Sequence, residues 1–442
     1  MFEKLFKLKE HNTNVRTELM AGITTFMTMA YILIVNPNIL SATGMDAGAV
    51  FTATALSAVV GTLVMALAAN LPFALAPGMG LNAFFAYTVV LKLGYSWEFA
   101  LTAVLLEGLI FIALTFLNVR EAIINAIPMS LKHAISVGIG LFITLIGLVN
   151  AGIVQTGMFH IGEDNLDGLV IQLGDITSAN AIVAMIGIIL IGVLLSKNVK
   201  GALLIGIIAS TLIGIPMGVT NLDALKFGSF VPPSLSPILF KFDFTRVFTM
   251  DMFVVLLTFL FVDMFDTVGT LVGVSSKAGL LDKEGRVPKA KQALLADAIG
   301  TTFGACIGTS TVTTYVESAS GVAEGGRTGL TALSTAGMFF LALFLAPLFL
   351  VVPSAATAPA LVIVGLFMMT PITKIDFNDF TESLPAFLTM VMMPLSYSIA
   401  DGIIFGVVSY VCIKVLAGKR KDVPLLAYLL AILFVLKFIF KI

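Results

Sequence analysis

The sequence predicts an all-α polytopic membrane protein with 14 membrane segments. Three observations lead to this prediction. The 442 residues are 58% hydrophobic and only 12% charged, whereas an average soluble domain is roughly 25% charged. Apolar stretches long enough to cross a bilayer recur along the chain. These stretches lack the alternation of apolar and polar residues that β-barrel strands need. A soluble enzyme, a nucleic-acid-binding protein and a disordered chain are therefore excluded.

The predicted spans follow one another along the chain. Twelve are ordinary apolar runs, at residues 18–36, 48–70, 98–117, 132–154, 181–195, 201–217, 251–275, 291–307, 328–351, 356–370, 384–397 and 399–416. Two broken segments, 72–92 and 304–325, bring the count to 14. A last apolar stretch, 424–441, is either a further span or an interfacial helix. The charged N-terminus has no apolar region before a cleavage site, so no signal peptide is expected.

Basic residues predict the orientation. With the N-terminus in the cytoplasm, 18 of the 25 Lys and Arg residues fall on the cytoplasmic side. The outer side holds only Lys92, Lys226, Lys241 and Arg246. Because this asymmetry follows the positive-inside rule, we predict a multi-pass protein of the cell (inner) membrane. The acidic loop 155–180 and the proline-rich loop 217–250 then lie outside.

The two broken segments are expected to form the functional site. The first contains Pro72, Pro77, Gly78 and Gly80, and the second contains Gly304, Gly308 and a Ser/Thr cluster. Neither segment can be a continuous lipid-facing helix, because unpaired backbone groups in hydrocarbon cost on the order of several kcal/mol each. They are the third and tenth of 14 segments, which predicts an inverted repeat with its site at the membrane midplane. The alternative is two ordinary helices kinked by Gly and Pro.

Ionisable residues inside the spans are candidate functional residues, because each costs roughly 2.5 kcal/mol or more at the centre of an isolated helix. They are Glu107, Asp263, Asp266, Asp297, Glu317 and Asp401. Asp263 and Asp266 are three residues apart and share one helical face, with Thr267 and Thr270 close by. Two such carboxylates do not readily both ionise, so one is expected to hold a proton. The alternative is a structural hydrogen-bonded pair. Glu107, Asp297 and Asp401 are interpreted as polar residues of helix packing.

Glu317 and Asn82 are the candidate groups of the broken segments. Glu317 is expected about two turns into the half-helix of the tenth segment, with Thr313 and Thr314 one turn earlier. Its carboxylate can accept N–H donors from a ligand. Asn82 is expected in the corresponding place, at a half-helix N-terminus whose backbone N–H groups point inward. The alternatives are a capping or interhelical bond for Glu317 and an N-cap for Asn82.

Charge near these segments limits the substrate. No Lys or Arg lies in or near the core of the eighth or tenth segment. Carboxylates without a counter-ion suit a cation or a neutral solute rich in N–H donors, and they do not suit an anion. Acids at the midplane also suit proton coupling. Glu324 and Arg327, at a cytoplasmic end, are expected to pair with each other.

Cysteine and histidine indicate no catalytic or metal site. Cys306 and Cys412 lie in apolar segments, and His11, His133 and His160 are scattered. The chain has no HExxH motif, no Cys/His dyad and no nucleophile motif in a polar pocket. We therefore expect no metal, no cofactor and no enzyme activity.

Three stretches resemble the signature motifs of nucleobase/ascorbate transporters: APGMGLNAFFAYTVV, FVDMFDTVGTLVG and GTSTVTTYVESASGVAEGGRTGLTAL. The match is best to the azaguanine-type branch of purine permeases, which carry hypoxanthine, guanine and adenine. The resemblance spans nearly the whole chain, from AGITTFMTMAYILIVNP to GIIFGVVSYVCIKVLAG. It implies a seven-plus-seven inverted repeat with short antiparallel strands in the third and tenth segments. It also implies proton symport of purine bases.

The resemblance implies domains and residue matches as well. Residues 1–130 and 251–351 form the implied core (transport) domain, 131–250 and 352–418 the gate domain, and 419–442 a C-terminal apolar segment of open placement. The two eighth-segment acids of the family match Asp263 and Asp266, its tenth-segment glutamate matches Glu317, and its third-segment asparagine matches Asn82.

These observations together assign roles. The expected substrate-binding residues are Glu317, Asp263, Asn82, Phe84 and Thr313. Phe85 is also expected near the ring of the purine base. Glu317 is expected mainly to bind N–H groups of the base. Asp263 is expected to carry the coupling proton, and Asp266 to hold the eighth helix and tune Asp263.

The expected partners are a purine base, the lipid bilayer and a second copy joined through the gate domain, with no nucleic acid. The coupling ion stays open between a proton and sodium. The alternatives are a xanthine or pyrimidine transporter of the same superfamily, and an anion transporter or channel of the same architecture.

Overall fold

A computed structural model describes residues 2–116, 128–161, 166–222, 231–277, 279–280 and 287–440. Some charged residues of the orientation argument lie outside these ranges, namely Arg120, Glu163, Asp164, Lys226, Lys283, Arg286 and Lys441. The described chain is mostly helical.

The first half of the chain contains helices α1 (Phe2–Phe6), α2 (Val15–Met29), α3 (Ile32–Ser41), α4 (Ala47–Val64), α5 (Met79–Ala83), α6 (Trp97–Phe116), α7 (Met129–Asn150), α8 (Ala179–Ser196) and α9 (Ala202–Gly214). Its strands are β1 (Leu75–Pro77), β2 (Val154–Ile161) and β3 (Leu166–Leu173). Helix α4 continues as a π-helical turn, Met65–Ala69, and α5 continues as a π-helix, Phe84–Lys92. Strands β2 and β3 pair with each other antiparallel.

The second half contains helices α10 (Met250–Lys277), α11 (Ala290–Ile307), α12 (Ser318–Ala323), α13 (Gly329–Ala342), α14 (Ala346–Leu350), α15 (Ser354–Met368), α16 (Phe380–Leu395), α17 (Ile399–Leu416) and α18 (Leu425–Phe440). Strand β4 (Val312–Thr314) lies between α11 and α12. The final apolar stretch therefore forms a helix, α18, and this helix packs against α17.

Eight stretches of the described chain are helical, long and apolar enough to cross a membrane. They are Val15–Ser41, Ala47–Ala69, Trp97–Phe116, Met129–Asn150, Ala179–Ser196, Gly329–Leu350, Ser354–Lys374 and Ile399–Leu416. Shorter apolar helices are Met79–Lys92, Ala202–Gly214 and Phe380–Leu395. The prediction of a mostly helical integral membrane protein is confirmed, while the count of 14 segments stays a prediction. The first stretch is interrupted at Ala30 and Tyr31, which separate α2 from α3.

Short polar side chains, and residues in the left-handed backbone conformation, determine where several helices begin and end. Asn14 accepts a hydrogen bond from the Thr17 N–H (3.0 Å) at the start of α2 and so caps that helix. Gly308 ends α11 with a φ of +96°, a conformation that glycine adopts without strain. Asn70, with a φ of +54°, ends the π-helical turn that follows α4. These two ends direct the chain into β4 and β1.

The helices pack in two groups. In the first group, α11 packs against α4 and α6, α13 packs against α2 and α4, and the π-helix Phe84–Lys92 packs against α6. In the second group, α7 packs against α15 and α16, α8 and α9 pack against α15, and α17 packs against α16. Strands β1 and β4 contact α4 and α11, so they belong to the first group.

Small residues let α4 and α11 approach each other beside β4. A Cβ atom added to Gly300 of α11 would lie 3.3 Å from the Cα of Gly61 in α4 and 3.0 Å from Val312 Cγ1 of the strand. A larger residue at either glycine would force the helices or the strand apart.

A buried carboxylate ties α2 to the start of α13. Glu18 is fully buried and accepts hydrogen bonds from the backbone N–H groups of Arg327 (2.9 Å), Thr328 (3.2 Å) and Thr331 (3.1 Å). It also accepts bonds from the hydroxyls of both threonines, at 2.9 and 2.6 Å. A helix N-terminus leaves such N–H groups without intrahelical partners, and a carboxylate there is favourable.

Candidate functional site

Two short strands form a buried antiparallel pair in the first helix group. The register pairs Leu75 with Thr314, Ala76 with Thr313 and Pro77 with Val312. Flanking backbone hydrogen bonds run from Gly78 N–H to Thr311 O (2.9 Å) and from Tyr315 N–H to Ala74 O (3.0 Å). All six paired residues are buried. The backbone groups of both broken segments are therefore satisfied by each other rather than by lipid, as membrane burial requires.

Each strand is also held by a threonine of the helix that precedes it. The Thr62 hydroxyl accepts from the Leu75 N–H (2.9 Å) and donates to the Leu75 carbonyl (3.1 Å). The Thr301 hydroxyl makes the same two bonds to Val312, at 3.1 and 3.0 Å. Each threonine directly follows a glycine of the α4–α11 contact, Gly61 or Gly300. Two parts of the chain that are far apart in sequence thus repeat one local arrangement.

Glu317 lies directly before α12, and its side chain meets the first membrane segment. The Tyr31 hydroxyl donates to Glu317 Oε1 at 2.7 Å. Tyr31 is 1% exposed, whereas Glu317 is half-buried. The expectation that Glu317 lies two turns inside a half-helix is wrong, because Thr313 and Thr314 belong to β4 and the helix begins only at Ser318.

The two acids of α10 have different partners. Asp266 is half-buried and accepts a hydrogen bond from the Thr313 hydroxyl of β4, at 3.3 Å. Asp263 is fully buried, and its Oδ1 lies 3.0 Å from the Thr267 hydroxyl. That hydroxyl also lies 3.0 Å from Oδ2 of Asp297 in α11. A hydroxyl has one proton, so it can donate to only one of these two carboxyl groups.

Asn82 lies inside α5 and does not cap it. The N-cap residue is Gly78, so the alternative interpretation of Asn82 as a cap is wrong. Its Nδ2 donates to the Pro77 carbonyl of β1 at 3.4 Å, and the Ser310 hydroxyl donates to its Oδ1. The Tyr315 hydroxyl donates to the same Pro77 carbonyl at 2.5 Å. The amide thus joins the third segment to the stretch just before β4.

The aromatic residues after Asn82 lie deep in the protein. Phe84 is 1% exposed and packs edge-on against Phe259 of α10, with ring centroids 4.8 Å apart. Phe85 is fully buried. A cavity of about 40 Å³ lies beside Phe84 and extends toward the end of the π-helix. It is lined by Phe84, Thr88, Lys92, Leu93, Val254, Val255, Thr258, Ser398, Ala400 and Asp401.

Near this cavity, the end of the third segment contacts the second helix group. Lys92 Nζ lies 3.0 Å from Asp401 Oδ2 of α17 and donates to the Ser396 carbonyl at 2.6 Å. Tyr87 and Tyr397 meet edge-to-face with ring centroids 6.3 Å apart. Asp401 is therefore an ion-pair partner across the two groups as well as a residue of helix packing.

The remaining predicted polar residues have identifiable partners. Glu107 accepts a hydrogen bond from the Thr311 hydroxyl at 2.5 Å, next to β4. Glu324 pairs with Lys200, which lies between α8 and α9, with Nζ and Oε1 2.5 Å apart. Arg327 instead donates its guanidinium to two backbone carbonyls nearby. The expected Glu324–Arg327 pair is therefore wrong, because Lys200 reaches Glu324 from the other helix group.

Sequence reasoning missed Tyr31, Ser310 and Tyr315 and gave Asp297 only a packing role. A tyrosine in an apolar run gives no signal of a partner almost 290 positions away, and Ser310 is one of several similar residues in its cluster. Within the described ranges, no group of three or more His, Cys, Asp or Glu side chains is placed to hold a metal ion.

The site combines carboxylates, an amide and hydroxyls at a place where two membrane segments interrupt their helices. In the described part of the chain, neither Glu317 nor Asp266 pairs with a Lys or Arg side chain. Interrupted helices with polar groups between them are the construction that secondary transporters use for their substrate sites. The fold and the site thus define a polytopic membrane transporter.

The chain belongs to the permease family of nucleobase/ascorbate transporters, whose family profile matches residues 16–405. It is 43% identical over 440 residues to the adenine permease AdeP of Escherichia coli, covering 100% of this chain and 96% of that protein. It is 45% identical over 446 residues to the guanine/hypoxanthine permease PbuG of Bacillus subtilis, covering 98% and 99%. The resemblance to this family and the expectation of a transporter rather than an enzyme are confirmed.

A solved structure shares the fold. The transmembrane domain of the cyanobacterium bicarbonate transporter BicA superposes with a TM-score of 0.65 at 17% identity, covering 89% of this chain and 97% of that chain. At this identity the likeness concerns the fold alone.

Proposed function

We propose that this protein is a proton-coupled symporter that imports the purine nucleobases hypoxanthine, guanine and adenine by alternating access. The observation that carries the proposal is the pair of carboxylates, Glu317 and Asp266, beside the paired strands, neither of which has a Lys or Arg partner among the residues that the structure describes. A purine base offers N–H donors to carboxylates and ring acceptors to an amide such as Asn82. The substrates named for AdeP and PbuG are of this class.

The same charges argue against an anion as substrate. BicA has the same fold and transports bicarbonate, so the architecture alone does not decide between the two classes. Backbone N–H groups at a helix N-terminus can bind an anion, but a carboxylate beside the anion repels it. Glu317 and Asp266 supply negative charge or neutral acids. We therefore rank an anion transporter below a purine transporter.

We further propose 14 segments arranged as a seven-plus-seven inverted repeat. The repeated Gly-Thr anchors support this arrangement, because Thr62 of the second segment and Thr301 of the ninth hold their strands by the same two bonds. The first helix group corresponds to the core domain, 1–130 and 251–351, and the second group to the gate domain, 131–250 and 352–418. The N-terminus is proposed to be cytoplasmic, so the Lys92–Asp401 contact faces outside. A homodimer through the gate domain stays a prediction.

In the proposed mechanism, the core domain moves past the gate domain and exposes the site alternately to each side. The Lys92–Asp401 contact joins the two domains on the proposed outer side, so it must break when the site opens outward. Glu317 is proposed to bind N–H groups of the base. The contacts favour Asp266 over Asp263 as the second carboxylate beside the base, since Asp266 bonds to strand residue Thr313.

Asp263 keeps its proposed role in proton coupling. Its Oδ1 shares the Thr267 hydroxyl with Asp297, so a proton on either carboxyl group changes which way that hydroxyl donates. Proton uptake there can therefore alter the contact between α10 and α11, both of which also contact β4. Sodium stays an alternative coupling ion.

Competition uptake tests this proposal. Cells expressing the protein take up labelled hypoxanthine in the presence of excess adenine, guanine, xanthine, uracil or sulfate. We expect adenine and guanine to compete and sulfate to have no effect. No hypoxanthine uptake, together with uptake of labelled sulfate by the same cells, would overturn the proposal in favour of an anion transporter. No hypoxanthine uptake together with uptake of labelled uracil would overturn it in favour of a pyrimidine transporter. Uptake that survives a protonophore but needs sodium would refute proton coupling.

A further inference from the structure

Tyr31 contacts Glu317 at the interruption of the first membrane segment. It lies between the end of α2 at Met29 and the start of α3 at Ile32. Its hydroxyl lies 2.7 Å from Glu317 Oε1, the usual distance of an O–H···O hydrogen bond. Because Tyr31 is 1% exposed, its hydroxyl has little access to water as an alternative partner.

The direction of this bond has a chemical consequence. A tyrosine hydroxyl carries one proton, and a carboxylate only accepts. Tyr31 therefore donates to Oε1 and fixes the rotation of the carboxylate. The second oxygen, Oε2, is not engaged by Tyr31 and can accept an N–H group of a substrate.

We propose that Tyr31 is a positioning residue for substrate recognition, which holds Glu317 as an oriented hydrogen-bond acceptor for purine N–H groups. The inference rests on the proposed function, because it assigns Glu317 to the purine site. Tyr31 acts through Glu317 and does not itself touch the substrate. The first membrane segment thereby contributes to recognition through a residue that lies outside the two broken segments.

A double-mutant cycle separates this role from a structural one. In Glu317→Gln, the Tyr31 hydroxyl still donates to the side-chain oxygen and so turns the new NH2 group toward the substrate N–H. Tyr31→Phe in that background frees the amide to rotate and present its oxygen instead. The inference therefore predicts an effect of Tyr31→Phe that depends on residue 317.

The measurement is the inhibition constant of unlabelled hypoxanthine, obtained with purified protein and labelled hypoxanthine. We expect Tyr31→Phe alone to weaken binding roughly three- to tenfold, as for a lost hydrogen bond. Glu317→Gln should weaken it by more than tenfold. In the Glu317→Gln background, Tyr31→Phe should cause no further loss, within twofold, or a partial recovery.

A matched control is Tyr410→Phe, which removes the hydroxyl of another buried tyrosine, in α17 of the second helix group. It should bind hypoxanthine like the parent. Gel filtration and the melting temperature of each variant identify a variant that fails to fold, and Tyr31→Met, which has no donor and a flexible side chain, then replaces Tyr31→Phe in the cycle.

The outcomes separate the two proposals. A threefold or greater further loss from Tyr31→Phe in the Glu317→Gln background would overturn the inference, since it indicates direct contact or a general structural role. An unchanged inhibition constant for Tyr31→Phe alone, with Glu317→Gln strongly weakened, would also overturn it while the purine site stands. Parent-like binding by Glu317→Gln would reject the proposed site itself, and the positioning role with it.

Discussion

The ion pair between Lys92 and Asp401 should bias the protein toward the state that is closed on the proposed outer side. Lys92→Met removes the ammonium group and retains an apolar stem. It also removes the hydrogen bond to the Ser396 carbonyl, 2.6 Å away. Because both bonds cross between the two helix groups, their loss should favour separation of the groups at this end.

The free energy lost in Lys92→Met depends on how far the Lys92–Asp401 ion pair is exposed to solvent. The side chains of Lys92 and Asp401 are 35% and 26% exposed, so solvent screens part of the attraction. Exposed ion pairs contribute about 0.2–1 kcal/mol, and the bond to the carbonyl adds a similar amount before screening. A net loss of about 1 kcal/mol corresponds to roughly a fivefold rise in the outward-open population.

Thiol accessibility measures this population. Thr258 lines the small cavity beside the ion pair and is 7% exposed. Thr258→Cys, in a background with Cys306 and Cys412 replaced by serine, reacts with a membrane-impermeant maleimide added outside intact cells. We expect Lys92→Met to raise the reaction rate roughly fivefold. Asp401→Asn should act in the same direction.

Lys419→Met is the control, because it removes an ion pair with Asp379 (2.9 Å) that lies entirely within the second helix group. It should leave the labelling rate unchanged. An unchanged or slower rate in Lys92→Met would refute the reasoning. An equal acceleration in Lys419→Met would show general loosening of the protein rather than release of a contact between the groups.

Three further predictions concern coupling and stability. Asp263→Asn should retain hypoxanthine binding but lose accumulation against a gradient in proteoliposomes, since it imitates a permanently protonated acid; continued accumulation would remove Asp263 from the coupling role. Glu18→Ala should lower the free energy of unfolding in detergent by about 3 kcal/mol, because the buried N–H groups of Thr328 and Thr331 and the half-buried N–H group of Arg327 lose their acceptor at roughly 1–3 kcal/mol for each buried group, and Glu18→Gln should lose less. The Lys419 ammonium, together with the hydroxyl and N–H of Thr381, holds the pKa of Asp379 well below its usual range. The stabilisation by Asp379 is thus present above the unfolded-state pKa of about 4 and lost as the pH falls through the folded-state pKa. The difference in melting temperature between the parent and Asp379→Asn should accordingly persist at pH 7 and shrink below about pH 4.

The sequence predicted where the site lies, but it did not predict the geometry of the site equally well. Gly and Pro clusters marked both broken segments, because such residues interrupt helices and a bilayer tolerates interruption only where backbone groups find partners. The strands themselves have three residues each, too few for any periodic signal. The sequence therefore predicted Glu317 inside a helix that began before Thr313. In the structure β4 and a turn occupy these positions, so Glu317 lies directly before α12.

Partners distant in the sequence were the least predictable feature. Glu324 was expected to pair with its near neighbour Arg327, but Lys200 is more than 120 positions away and reaches it from the other helix group. Tyr31 and Glu317 are separated by 286 positions. A single sequence reveals charges and their depth in the membrane, but packing decides which groups meet.

The strand register explains how a repeated scaffold forms one asymmetric site. The pairing is symmetric about Ala76 and Thr313, so Leu75 corresponds to Val312 and Pro77 to Thr314. Glu317 lies three residues after Thr314, and the residue three after Pro77 is Gly80. The expected correspondence between Glu317 and Asn82 therefore does not follow the register.

Gly80 has a packing reason of its own. A Cβ atom there would lie 2.6 Å from Ile139 Cγ2 of α7 in the second helix group. One half of the site thus carries a carboxylate, and the other half carries no side chain where the second group approaches. If both positions held carboxylates, two like charges would lie across the paired strands and disfavour each other's ionisation. The glycine avoids this repulsion and lets the moving surfaces meet closely, so the asymmetry of the two halves serves both recognition and motion in the proposed mechanism.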